Sequence, residues 1–215
     1  MFLVWQAPAA GVAPAIERIA KHVRRIVFLS NLTVRDGIEE QAYPVTTLHA
    51  KIERLIEVSG VRWTFLRPGA FMNNTLDWAP MVRAGEVAMA YGDATQTPID
   101  LGDIAAVAAR VLTTGGHAGA TYVLSGPEPI SLRGQVETLA SVLGKEIRFR
   151  ELTPAEQRAQ WIGYGVPEEA VGWLLEGFEE TLRHPQAPTG VVEDLLGRPG
   201  TTYASWAAAR RDVFA

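Results

Sequence analysis

His49 and Glu53 stand four residues apart in a run spaced like a helix, TTLHAKIERLIEVSG. On one helical face such a pair can hydrogen-bond, fix the imidazole tautomer and leave the other ring nitrogen as a general base near neutral pH. The same spacing also serves a solvated His–Glu pair on a surface. Ser30 closes the apolar run Arg25–Ser30, RIVFLS. At the end of a parallel strand it would lie on the carboxyl edge of a sheet, where open α/β folds bind ligands. It could equally just turn the chain. Pro68 and Gly69 close a second such run, Arg62–Arg67, and Phe71 follows. Asp100 and Asp103 look like a carboxylate pair, but they precede an apolar-striped helix and read as caps. Phe71, Met72, Trp78, Trp161, Tyr164 and Trp173 either line an apolar pocket or fill a core.

Other chemistry is excluded by what the chain lacks. With no cysteine there is no disulfide, thiolate nucleophile or Cys-type zinc site, and a reducing compartment fits. The histidines at 22, 49, 117 and 184 form no His-x-x-x-His pattern, so no metal site is expected. A net charge of −4 argues against nucleic acid as a partner. Ala13-Pro14-Ala15 imitates a signal cleavage site, but no positive segment precedes it and the apolar run before it is too short. No run reaches the length of a membrane span. The expectation is a cytoplasmic protein with a small-molecule substrate and no nucleic-acid or membrane partner.

The elements that would hold these residues alternate. Strand runs at Phe2–Trp5, Arg25–Ser30 and Arg62–Arg67 are separated by helical patterns at Val12–His22 and Thr46–Ser59. Thr46 or Thr47 can cap the second helix, and Gly60 ends it. Further strands are expected at Glu86–Tyr91, Thr121–Leu124 and Glu146–Arg150, and helices dominate the remainder. The expected fold is α/β: a partial Rossmann-like parallel sheet over residues 1–130 with a small, mostly helical C-terminal lobe over 131–215. No Gly-x-Gly-x-x-Gly turn occurs. Phe2–Trp5 would be an open edge that a second copy could pair with, so a homodimer is a further expectation.

From Tyr43 the chain reads YPVTTLHAKIERLIEVSGVRWTFLRPGAFMNN, then TPIDLGDIAAVAARVL, TYVLSGPEPIS and VVEDLLGRPGTTYASW. In this order these segments resemble the NmrA-like family of atypical short-chain dehydrogenase/reductases. The resemblance implies NADP or NAD as cofactor and a small apolar carbonyl or quinone as substrate. It places Ser30 where the superfamily often holds its catalytic serine. His49 takes the place of the lysine in the Tyr-x-x-x-Lys pair, and Val45 that of the tyrosine; Tyr43 is two residues away. By the same resemblance Ser30, Asn31, His49, Pro68, Gly69 and Phe71 border the nicotinamide end, and Ala7 and Pro8 the ribose–phosphate. Family members carry a glycine-rich unit before the first strand, roughly 60 residues long at about 30 per βαβ unit. An N-terminally truncated chain with doubtful cofactor binding is therefore expected. Two alternatives stay open: a cofactor-free lyase, isomerase or cyclase on this scaffold, and a non-catalytic redox sensor or interaction protein.

Overall fold

The computed structural model describes residues 1–215. In chain order the strands are β1 (Phe2–Leu3), β2 (Arg25–Leu29), β3 (Arg62–Pro68), β4 (Glu86–Met89), β5 (Thr95–Gln96), β6 (Ala120–Leu124), β7 (Ile130–Ser131) and β8 (Arg148–Glu151). The helices are α1 (Val12–Ala20), α2 (Pro44–Val58), α3 (Ala79–Arg83), α4 (Leu101–Thr113), α5 (Leu132–Leu143), α6 (Pro154–Gly163), α7 (Glu168–Arg183), α8 (Val191–Leu196), α9 (Tyr203–Ala208) and α10 (Arg211–Phe214). The fold is the expected Rossmann-like α/β arrangement, with a parallel sheet and a helical C-terminal part.

The chain divides into two compact units that interleave in sequence, whereas a single boundary at residue 130 was expected. The first takes Met1–Gly69, Leu101–Ser125 and Thr189–Pro199; the second takes Ala70–Asp100, Gly126–Pro188 and Gly200–Ala215.

The first unit holds a four-stranded parallel sheet in the order β1-β2-β3-β6. Its central strands are continuous apolar runs because both faces are covered. Ile26, Val27 and Phe28 of β2 are fully buried. Val12 and Ile16 of α1 and Ile52 and Ile56 of α2 complete this core. Each fully buried Ile or Phe contributes about 1.5–3 kcal/mol.

β1 is shorter than the expected run. Val4 is exposed, and the Trp5 indole N–H donates to the Ala7 carbonyl at 2.6 Å, ending the strand. α2 begins two residues earlier than expected. Pro44 occupies its first turn with φ already set, and Tyr43 precedes it without a side-chain cap. Thr46 is thereby free to share a hydrogen bond with Thr33 at 2.5 Å, and the Thr47 hydroxyl donates to the Tyr43 carbonyl at 3.1 Å.

In the second unit β4 pairs with β8 in parallel and β5 with β7 antiparallel. β4 stops at Met89, short of the expected Tyr91, because Tyr91 adopts a left-handed φ of 61°. The Thr153–Glu156 capping box starts α6. Met72, Val82, Leu139, Tyr203, Trp206 and Phe214 are among the fully buried residues of this unit's core.

The Tyr203 hydroxyl is buried without a hydrogen-bond partner, and the neighbouring Thr75 hydroxyl donates to Gln135 at 3.3 Å. Burial pushes the phenol far above its usual range. A buried hydroxyl that bonds nothing forfeits its hydration without return. Tyr203→Phe is therefore expected to stabilise the protein by about 0.5–1 kcal/mol, read as a higher urea midpoint. A loss above 1 kcal/mol would show that the hydroxyl is bonded after all.

Candidate functional site

The carboxyl ends of β2, β3 and β6 are tied to one another beyond the strands. The Ser30 N–H donates to the Leu66 carbonyl at 2.7 Å, Leu32 to Pro68 at 3.0 Å and Gly69 to Leu124 at 3.1 Å. Asn31 turns the chain here, its Oδ1 accepting from the Thr33 N–H at 2.8 Å and the Thr33 hydroxyl at 2.7 Å. Ser30 and Asn31 therefore sit on a fixed edge beside Pro68 and Gly69. The Ser30 hydroxyl is buried and without a hydrogen-bond partner. Buried hydroxyls are nearly always paired, so an orphan at this edge asks for a ligand.

His49 lies on α2 with its ring stacked on Phe28 of β2, centroids 5.7 Å apart and planes 26° apart. Nδ1 stands 2.7 Å from the Val45 carbonyl. A carbonyl only accepts, so Nδ1 carries the proton of this bond and Nε2 is the basic nitrogen.

The expected His49–Glu53 pair does not form. Glu53 is buried and accepts from Arg67 Nε at 3.0 Å and Nη2 at 2.6 Å. Arg67 also donates to Asp36 at 2.6 Å and to the Val34 carbonyl at 3.3 Å. The bond to Glu53, aided by Asp36, raises the Arg67 pKa above its already high value despite burial. Gln41 completes the same loop: its Oε1 accepts from the Arg35 N–H at 2.8 Å, and its Nε2 donates to the Arg35 carbonyl at 3.0 Å and the Ile38 carbonyl at 2.5 Å.

This charged clamp was missed at first sight, yet it left a signal. Glu53 shares the helical face of Ile52 and Ile56, and Arg67 ends an apolar strand. Two charges inside apolar stripes each require a partner of opposite sign.

The remaining expected residues are more dispersed. Ala7 and Pro8 are exposed after β1, and the Pro8 carbonyl accepts from the Gly11 N–H at 3.2 Å. Phe71 belongs to the second unit, bridged to Ile99, where Met72 N–H donates to the Ile99 carbonyl at 3.0 Å. Val45 is 47% exposed on the first turn of α2. Asp103 and Asp100, expected as caps, also carry ion pairs: Arg198 reaches Asp103 at 2.8 Å, and Arg210, stacked over Trp206, reaches Asp100 at 3.5 Å. Of the apolar residues read as a pocket or core, Met72 and Trp78 are core and Tyr164 is 69% exposed.

The first unit's edge thus offers a buried hydroxyl, an imidazole nitrogen and a Pro–Gly backbone, with no phenol at the helix position of Val45. A hydroxyl and an imidazole nitrogen of this kind can donate to or accept from the polar groups of a ligand. The set contains no dedicated acid of the tyrosine type.

Residues 9–115 match a protein family described as NAD(P)H-binding. The chain is 37% identical over 221 residues to a (4-alkanoyl-5-oxo-2,5-dihydrofuran-3-yl)methyl phosphate reductase of Streptomyces griseus, covering 100% of this chain and 77% of the relative. It is 32% identical to an NAD(P)H azoreductase of Xenophilus azovorans, over 75% of this chain and 57% of the relative, less than two thirds of that protein's length. Among solved structures, the NADPH-dependent quinone oxidoreductase of Escherichia coli complexed with NADPH superposes with a TM-score of 0.78 at 24% identity, over 97% of this chain and 75% of that one. The expected truncation finds no support in the family match over residues 9–115.

Proposed function

The chain belongs to the NAD(P)H-binding, NmrA-like family of atypical short-chain dehydrogenase/reductases, and on that premise we propose that it is an NAD(P)H-dependent reductase of a small, electron-poor acceptor. The observation that carries this is the unpaired, buried Ser30 hydroxyl on the edge that also bears Asn31, Pro68 and Gly69. These residues fit the nicotinamide end of such a cofactor. Ser30 would donate to the carboxamide or the acceptor oxygen. His49 Nε2 would hold a ribose hydroxyl, its tautomer fixed by Val45. The Pro68–Gly69 turn would wall one side of the ring, and Ala7 and Pro8 would border the ribose–phosphate. When bound, the reduced nicotinamide supplies a hydride.

The substrate class follows from the missing acid. With valine at position 45, no phenol stands ready to protonate an alkoxide. An acceptor that spreads the incoming electron pair over a conjugated system needs less help. Quinones, conjugated enones or lactones, and azo groups are of that kind. Solvent would then deliver the proton. The alternative of a non-catalytic nucleotide sensor rests on the same valine.

NADPH oxidation with a soluble naphthoquinone, an unsaturated lactone and an azo dye tests the reading. His49→Ala is expected to lower kcat/KM roughly 10- to 100-fold, and Ser30→Ala roughly 10-fold, about the loss of one hydrogen bond. Turnover unchanged in both variants would remove this edge from the reaction. NADPH binding without turnover of any of the three acceptors would favour the sensor.

A further inference from the structure

His49 and Glu53 are placed on α2 at the spacing where helical side chains meet, yet their hydrogen bonds go elsewhere, to Val45 and to Arg67. Glu53 gives both carboxylate oxygens to Arg67, at 3.0 and 2.6 Å. That fork is bidentate and charge-assisted, and both side chains are at most 8% exposed. One lone pair of bonds thus separates two outcomes for the imidazole. With Arg67 present, Nδ1 bonds the Val45 carbonyl, and Nε2 makes no hydrogen bond within the protein. With Arg67 gone, a carboxylate one helical turn away would be short of partners.

We propose that Arg67 is a positioning residue for His49: by holding both oxygens of Glu53 it keeps that carboxylate off the imidazole and leaves Nε2 for a ligand. This rests on His49 facing the ligand. The same guanidinium fastens Asp36 and Val34, so the loop that follows Ser30 and Asn31 hangs from the same group. An isolated structural salt bridge would need only one partner. Here one cation binds the helix of His49 and the loop that follows Ser30, from the strand that ends in Pro68 and Gly69.

On the elements around His49, α2 carries Lys51, Arg54 and Glu57 besides Glu53, β3 carries Arg67, and the loop carries Arg35, Glu39 and Glu40 besides Asp36, itself bonded to Arg67. β2 presents the uncharged Phe28 ring. On α1, packed beside α2, Glu17 and Lys21 pair with each other at 2.7 Å.

The test is an NMR pH titration of the His49 ring in the full chain. In Arg67→Met, Glu53 is released, and the His49 midpoint is expected to rise by roughly half a unit to one unit, since a nearby anion favours imidazolium. In Arg67→Met/Glu53→Gln the midpoint should return to the wild-type value. A rise that persists in the double variant would come from loss of the Arg67 charge itself, and it would overturn the proposal. Should Arg67→Met not fold, Arg67→Met/Glu53→Gln alone decides: a wild-type His49 midpoint supports a carboxylate already withheld, and a fall shows that Glu53 acted on the ring all along. The ligand-facing role fails separately. If His49→Ala leaves NADPH turnover untouched while the midpoints behave as expected, Arg67 insulates a histidine that the reaction does not use.

Discussion

Titrated with NADPH, the 215-residue chain is expected to show a dissociation constant no tighter than roughly 100 μM. Affinity for a dinucleotide in this architecture comes largely from backbone N–H groups of a glycine-rich turn at a helix N-terminus, aimed at the pyrophosphate. The turn after β1 reads Gln6-Ala7-Pro8-Ala9-Ala10-Gly11. Pro8 contributes no N–H, and the Gly11 N–H is already bonded to the Pro8 carbonyl at 3.2 Å. Two charge-assisted bonds at about 1.5–3 kcal/mol each, left unmade, weaken binding by roughly 10²- to 10⁴-fold. The nicotinamide end, proposed to lie against Ser30, Asn31, His49 and the Pro68–Gly69 turn, would then carry most of the binding. The six tryptophans provide the signal by quenching, and calorimetry provides an independent one. A low-micromolar constant would show that some other backbone holds the pyrophosphate, the first turn of α1 being the place to look. Reduced nicotinamide mononucleotide, which lacks the adenylate, separates the two ends: it should bind about as well as NADPH if only the nicotinamide end is gripped.

How much of this could be read beforehand depends on whether a feature is local. The β2 and β3 strands were legible because a parallel strand buried on both faces must be a continuous apolar run, and RIVFL and RWTFL are such runs. The capping box at Thr153 was legible for the same reason: its two partners stand three residues apart. The edge position of Ser30 followed from the strand. Its missing partner did not, since that is a statement about every neighbour in space.

The His49–Glu53 expectation failed on the same ground. Spacing along a helix says who can meet, and Arg67, fourteen residues further on, decided the outcome from an adjacent strand. The interleaving of the two units was hidden too, because a chain that leaves a sheet and returns shows no change in composition when it does so. β1 ended early through a tryptophan indole bond that no hydrophobic pattern encodes.

Arg67→Ala is expected to cost about 3–5 kcal/mol of stability, the usual penalty when one member of a buried ion pair is removed and the other stays. Glu53, 5% exposed, would be left as a buried carboxylate without its fork. For a chain of this size that corresponds to a drop of roughly 10 °C in Tm. Asp36→Asn removes the other carboxylate partner of Arg67 and should cost under about 1 kcal/mol, because the Asp36 side chain is 84% exposed and water replaces what it loses. The contrast between two bonds of equal length, 2.6 Å each, is what identifies burial as the cause.

The pH dependence of the Arg67→Ala variant provides a sharper signature. A buried, unpaired Glu53 has a folded-state pKa raised above its unfolded value, so the folded state binds more protons than the unfolded one. Stability then falls as pH rises through that window and recovers on acidification. Urea midpoints should therefore show a smaller gap between wild type and Arg67→Ala at pH 5 than at pH 8. Arg67→Met/Glu53→Gln, with no charge left to bury, should lose most of this pH dependence and regain part of the stability. A gap that is constant with pH would mean that Glu53 reaches solvent or another cation once Arg67 is gone, and that the clamp is a surface pair in energetic terms.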